Sequence, residues 1–571
     1  MADAEARLVV DDPALVPDPA AGAPSPPSSA PPSFAAAGLT LTLAACGGGG
    51  GGGAAVPGPT PPPAPILPSR AQAARFLGQA TTGATKANVD QVASIGFEAW
   101  LDAQFALPRA VTHWDWLVAA GYSNTTTMNS EAGFDPVMWR QLIASNDVLR
   151  QRVGVALLDF LVVGISGVNV PWRQFACAAY MDVLLDNAFG NFRTLMQAIS
   201  TNVAMGYYLT FAGNRKANPA TGSVPDENYA RESMQLFTIG LVKLNMDGSV
   251  QTAAGAPIET YTQDDITGLA RVFTGWNVAN ADNTTPDRMR LPMINTASQH
   301  ETGVKTFLGT TIPAGTAGPA SLSLALDAIF AHQNVAPFVS KQLIQHLVTS
   351  NPSPAYVARI SAVFANNGAG VRGDLKAVVR AILLDAEART DANAGNANYG
   401  KLREPMLRLT GWARAFNASS ASGAWAIGDT SSTSNRLGQS PGRSPSVFNF
   451  FRPGYTPPNS AIANAGLVGP EFQITNEPSV IAYVNYMQSL IVNGAGDFVP
   501  NYTDMVALAP NSTALLDEVD ILLGAQLSAT TKASIRAAVD SIAIGAANAA
   551  NNRVYTAVLL TLASPEYLVQ K

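Results

Sequence analysis

Beyond Ala71, apolar positions recur at steps of three and four almost to the end of the chain. That spacing places them on one side of a helix turning every 3.6 residues, so the chain reads as a succession of amphipathic helices. Helices are predicted near 172–189, 190–202, 319–332, 334–349, 353–366, 372–386, 401–416, 478–492, 512–523, 530–547 and 552–569. In AGFDPVMWRQLIAS, Pro136 follows Asp135 in the arrangement favoured at a helix start. The run SNDVLRQRVGVALLDFLVVGISG is long and apolar, but it carries Arg150, Arg152 and Asp159, so it reads as a core helix rather than a membrane span. Irregular breaks fall at 241–260, 277–318 and 417–476. In the first, LVKLNMDGSVQT flanks Asp247-Gly248 with alternating residues, a hairpin signal. No fixed-period repeat appears, which disfavours a solenoid. The expectation is a mainly α fold, a large single multi-helix domain over 71–571, with irregular loops and at most a short β-hairpin near 241–260.

The first seventy residues break this pattern. Residues 1–33 are rich in Pro, Ala, Ser and Asp without periodicity, the composition of a disordered leader. Residues 34–46 are apolar, too few to span a bilayer as a helix but suited to a signal-peptide core. They end in LAAC, which resembles a lipobox whose Cys46 carries the lipid. Residues 47–70 open with seven glycines and continue Pro-rich, a flexible tether. Against export, no Lys or Arg lies between Arg7 and the apolar run, where a signal peptide normally has a basic segment. The expected location is extracytoplasmic, as a secreted protein or a lipoprotein that meets the membrane only through its anchor. A cytoplasmic protein with an unstructured head is the alternative.

Composition narrows the function. An apolar fraction of 47% supplies a sizeable core. The formal charge is −6, and the leader holds five acids against one base, leaving the remainder nearly neutral with no dense Lys/Arg run. Nucleic acid is therefore not an expected partner. Two cysteines, Cys46 and Cys177, make neither a disulfide framework nor a structural zinc site, and Cys177 lies in an apolar helical pattern as a buried thiol.

Standard chemical motifs fail on inspection. Gly368-x-Gly370-x-x-Gly373 follows a helical pattern, not the strand a dinucleotide site requires, and reads as a helix–helix turn. Gly438-x-Ser440-x-Gly442 matches a nucleophile elbow, but Pro441 has no N–H to donate to an oxyanion. His332 and His346 sit in helical patterns and read as structural. His300 differs: QHETGVKTFLG sets it beside Glu301 and near Lys305 in an irregular region, a set able to move a proton or hold an anion. No cofactor is called for.

One stretch stands out. The chain is 13% charged, yet DENYARE packs four charges into seven residues. Ser223-x-x-Asp226 reads as a capping box that starts a helix, on which Asn228, Arg231, Glu232 and Gln235 share a face with Glu227 beside it. Thr262-x-x-Asp265 reads as a second box, opening a helix with Ile266, Leu269, Ala270, Phe273 and Trp276 on its apolar side and Arg271 on its polar side. Whether the two polar faces meet is not decided by spacing.

Six segments occur in order: AARFLGQATTGAT, VPDENYARESMQLFTIGL, YTQDDITGLARVFTGW, HETGVKTFLG, GVRGDLKAVVRAILLD and SPSVFNFFRPGYTPPN. Together they resemble the bacterial family catalogued as domain of unknown function 1800, over about residues 71–570. The resemblance implies no established activity. It implies an exported protein often encoded beside another exported family, and it marks Arg75, Gln79, Asp226, Glu227, Asn228, Tyr229, Arg231, Glu232, Arg271, Trp276, His300, Lys305, Phe450, Arg452 and Pro453 as motif positions. Ser233, Gln235 and Thr82 depart from the family pattern, and a Gln where Glu is common removes one carboxylate. Three functions stay open. The first is an envelope or secreted protein that binds a partner, either an exported protein encoded nearby or an envelope polysaccharide. In it Asp226, Glu227, Arg231 and Glu232 mainly lock helices together, and Asn228, Tyr229, Arg271, Trp276 and Arg452 are structural motif positions. The second is a hydrolase using Glu227 or Glu232 with His300 as acid and base, and Arg231 or Lys305 as anion holder. The third is a hard-cation site at Asp226, Glu227 and Glu232.

Overall fold

The chain is described from a computed structural model over residues 67–279 and 281–571. The leader, the lipobox-like segment with Cys46 and most of the tether lie outside the described residues. Pro68–Lys571 forms one unit, and its architecture follows from the helical periodicity. Among the described residues there are 24 α-helices, and the β content consists of two-stranded antiparallel ladders and isolated antiparallel bridges.

The predicted helices appear, most with shifted ends, and where proline intervenes the shift has a local cause. The segment predicted at 401–416 divides: Lys401–Leu402 pairs with Val569–Gln570, and the helix runs Pro405–Ala415 with Pro405 in its first turn. Proline cannot continue a helix inward from its N-terminal side but is well placed at a helix start, so it sets the boundary. The Gly368–Gly373 segment is the turn between Pro354–Ala365 and Leu375–Leu384, with Gly368, Gly370 and Gly373 all at positive φ. At Asp247-Gly248 the chain does turn, with Asn245 and Ser249 bonded across it and an antiparallel bridge between Leu244 and Val250, and a further ladder pairs Thr252–Ala253 with Ala256–Pro257. The β content also exceeds the single hairpin expected. The largest addition is Lys305–Phe307 paired with Thr310–Ile312. Leu308 and Gly309 both have positive φ between those strands, the backbone a tight hairpin turn demands.

Two apolar clusters hold the unit together. One gathers residues from Ala73 to Tyr399, including Phe76, Trp100, Trp172, Tyr229, Phe273 and Phe364. The other joins the Phe134–Ala144 helix to Pro405–Ala415 and the C-terminal helices, around Trp139, Trp412, Phe498 and Leu562. The Val148–Phe160 helix serves both: Val153 and Leu157 belong to the first cluster and Val155 to the second. It is a core helix, as its internal charges required. No helix among the described residues is long and apolar enough to cross a membrane.

Candidate functional site

The helix in the charged stretch spans Asn228–Gln235, and Ser223 does not cap it. Val224 precedes Pro225, and a residue before proline is pushed out of the helical region, so no turn forms there. Asp226 acts instead, its carboxylate accepting from the Asn228 N–H at 2.8 Å and from the Thr210 hydroxyl at 3.0 Å. The second box is present as read: Thr262 and Asp265 bond reciprocally at the start of Gln263–Ala270. Asp265 also accepts from the Leu308 N–H at 2.6 Å, pinning the 305–312 hairpin to this helix. The packing is close enough that a Cβ at Gly268 would lie 1.8 Å from the Thr306 carbonyl oxygen, so only glycine fits.

The two polar faces meet at Glu227. Its carboxylate accepts from Gln263 Nε2 and Thr267 Oγ1, each at 2.8 Å, and lies 3.3 Å from Arg231 Nη2. This junction is half-exposed and borders a pocket of about 220 Å³ lined by Glu227, Thr267, Arg271 and Glu301, with Val224 and Pro225 at one edge. Arg271 is anchored by donating to the Val304 carbonyl at 3.2 Å.

Other sequence-selected residues point elsewhere. Glu232 is buried and does not line the pocket. Burial pushes its carboxyl up to about 7, and its Oε2 has no hydrogen-bond partner among the described residues. His300 is sealed, with Nδ1 2.9 Å from the Thr274 carbonyl and Nε2 unpartnered; burial lowers its pKa. Lys305 is fully buried in its strand, and burial lowers its pKa too. Thus Glu301 and Arg271 reach the pocket where His300 and Lys305 were expected. Tyr229 packs between Phe211 and Phe273 with its hydroxyl 2.7 Å from Ser200 Oγ, and Trp276 is buried with Nε1 3.3 Å from the Val272 carbonyl. Asn228 reaches Thr210 at 3.4 Å, and the Arg452 guanidinium covers the Phe448 ring at 4.9 Å. Asp226 and Glu227 face separate sets of partners, and Glu232 is buried away from the pocket that Glu227 lines. They are not among the groups of three or more metal-ligating side chains found within the described residues.

A second polar centre lies deep inside, and helical periodicity did not select it. Asp159 and His346 come from Val148–Phe160 and Val335–Leu347, Lys401 from the ladder with Val569–Gln570, and Glu404 from the cap of Pro405–Ala415. Arg152 and Glu471 complete it, and all six are buried. Lys401 Nζ lies 3.0 Å from Glu471 Oε1 and 3.5 Å from Glu404 Oε1, and donates to the His346 carbonyl at 2.9 Å. Arg152 donates to the same carbonyl. Burial raises Asp159 to about 7 and, with Lys401 nearby, lowers His346 to about 3, so the imidazole is neutral. The sequence signals were Arg152 and Asp159, charges in a long apolar run that no surface argument accounts for. Asn449 and Phe450, from SPSVFNFFRPGYTPPN, line a cavity of about 10 Å³ that reaches Asp159 and the rejected Ser440.

No curated protein and no solved structure is significantly similar to the chain. One family model matches residues 75–569, nearly the whole described unit, and takes in both the open pocket and the buried centre. The chain belongs to the family described as Protein of unknown function (DUF1800).

Proposed function

We propose that this protein works outside the cytoplasm as a non-enzymatic binder of an envelope polysaccharide, which it engages through the Glu227–Thr267–Arg271–Glu301 pocket. One observation carries the reading: three motifs far apart in sequence, those containing Glu227, Arg271 and Glu301, border a single solvent-open pocket. Carboxylates accept from sugar hydroxyls and a guanidinium donates to them, so the lining suits a hydroxyl-rich group. A volume of about 220 Å³ is below the ~300 Å³ lower range of sites for drug-sized ligands, which fits a single sugar unit of a longer chain.

A hydrolase is the second reading, favoured by two carboxylates, Glu227 and Glu301, on one pocket. The sealing of His300 argues against its earlier form, because an acid or base must reach the proton it moves.

Calorimetric titration with oligosaccharides prepared from bacterial envelope polymers tests the proposal. The wild-type chain is expected to bind, and Glu227→Gln and Arg271→Ala to weaken binding about tenfold or more. Equal binding by all three proteins would overturn it, and release of shorter sugars in the same mixtures would favour the hydrolase.

A further inference from the structure

We propose that Asp159, His346 and Glu404 form a site for one divalent first-row transition ion, with zinc the best match, at the seam between the two apolar clusters. This goes beyond the pocket reading and does not depend on it.

The donor atoms already face one another. One ligand atom from each of the three residues lies within 4.8 Å of the other two. His346 Nδ1 and Asp159 Oδ2 are 3.3 Å apart, yet Asp159 Oδ2 has no hydrogen-bond partner among the described residues. Two ligands on a tetrahedral ion with bonds of about 2.05 Å sit about 3.3 Å apart, so this is the spacing of a coordination edge without hydrogen-bond geometry. Buried polar atoms are normally satisfied, so the unpartnered Asp159 Oδ2 facing His346 Nδ1 points to a group that satisfies it.

The outer contacts have the form that metal sites use. Asn449 Nδ2 donates to Asp159 Oδ1 at 2.8 Å, leaving Oδ2 toward His346. Gln439 Nε2 donates to Glu404 Oε2 at 2.8 Å, and Gln439 Oε1 in turn accepts from the Met406 N–H at 3.2 Å. Asp159 thus has one oxygen held by an amide and the other left toward His346, which is how outer partners orient ligands, while Glu404 Oε1 lies 3.5 Å from Lys401 Nζ, a contact that a bound ion would replace. One imidazole and two carboxylates, with no thiolate, select borderline divalent ions over soft ones.

Charge is compatible with occupancy. Lys401 is already matched by Glu471 at 3.0 Å. With Asp159 and Glu404 ionised, a divalent ion is neutralised by them, and Arg152 leaves one positive charge that a metal-bound hydroxide would balance. A proton on Asp159 is the rival way to reach neutrality. The small cavity under Asn449 and Phe450 borders Asp159 and supplies room beside the site for a group the size of water.

The test uses the full chain without a histidine tag, stripped by chelator and then titrated with zinc or cobalt(II). The expected result is one equivalent of tightly bound zinc by elemental analysis and the visible d–d bands of tetrahedral cobalt. His346→Gln and Asp159→Asn should abolish the bands, and Asn449→Ala should weaken binding about tenfold. Glu227→Gln should leave it unchanged, separating this site from the open pocket. A stripped wild-type chain that takes up no metal overturns the proposal, as does equal binding by folded His346→Gln. If the buried-site variants do not fold, wild-type stoichiometry and the cobalt spectrum decide alone.

Discussion

Glu227 and Glu232 lie five residues apart in the same charged stretch, and packing gives them opposite surroundings. Glu227 is bonded by Thr267 and Gln263 at the pocket rim, whereas Glu232 is buried and reaches about 7. An unfolded glutamate titrates near 4.3. Between those values the folded chain keeps a proton that the unfolded chain has released, so this residue's contribution to stability falls as pH rises through the window. Its penalty is complete above about 7 and absent below the unfolded value. Glu232→Gln is therefore expected to be more stable than wild type at about pH 8, by on the order of 2 kcal/mol, with the gap closing toward about pH 4. Urea unfolding at both pH values measures this, and a gap of equal size at the two would refute it. The helical face that carries Glu232 was legible from spacing. Its burial was not, because periodicity separates faces without saying what covers each.

At the scale of elements, the two capping boxes give a direct comparison. Thr262-x-x-Asp265 forms because nothing around it forbids the first helical turn. Ser223-x-x-Asp226 matches the same pattern and does not cap, because Val224 precedes Pro225. Thr262→Ala is expected to lower unfolding stability by about 1 kcal/mol, while Ser223→Ala should change it by less than about 0.5 kcal/mol. Chemical denaturation of the two variants checks the pair, and similar losses in both would mean the structural distinction is wrong. Helix centres were legible because apolar spacing is local, as in 512–523, which is reproduced as Ser512–Leu523. The ladders were less so: Val569–Gln570 pairs with Lys401–Leu402 across most of the C-terminal half, and two residues on each side carry no readable period.

For the whole molecule, the proposed location and the proposed binding rest on different parts of the chain. The lipobox-like segment and the tether support the proposed anchoring through Cys46. Cys46→Ala should move the protein from the membrane fraction to the soluble fraction on cell fractionation, and an unchanged distribution would count against a lipid anchor. The open pocket and the buried centre both belong to the helical unit. Apolar periodicity by itself determined that this unit is mainly α, and with the internal charges that its long apolar segment is a core helix. Those properties depend on neighbours within a few turns. Only the tertiary structure decided that Glu301 and Arg271, not His300 and Lys305, reach the pocket. It alone brought Asp159, His346 and Glu404 together. Two of them stand on separate helices and Glu404 caps a third, and their meeting depends on how two apolar clusters pack against a shared helix, a relation no local spacing encodes.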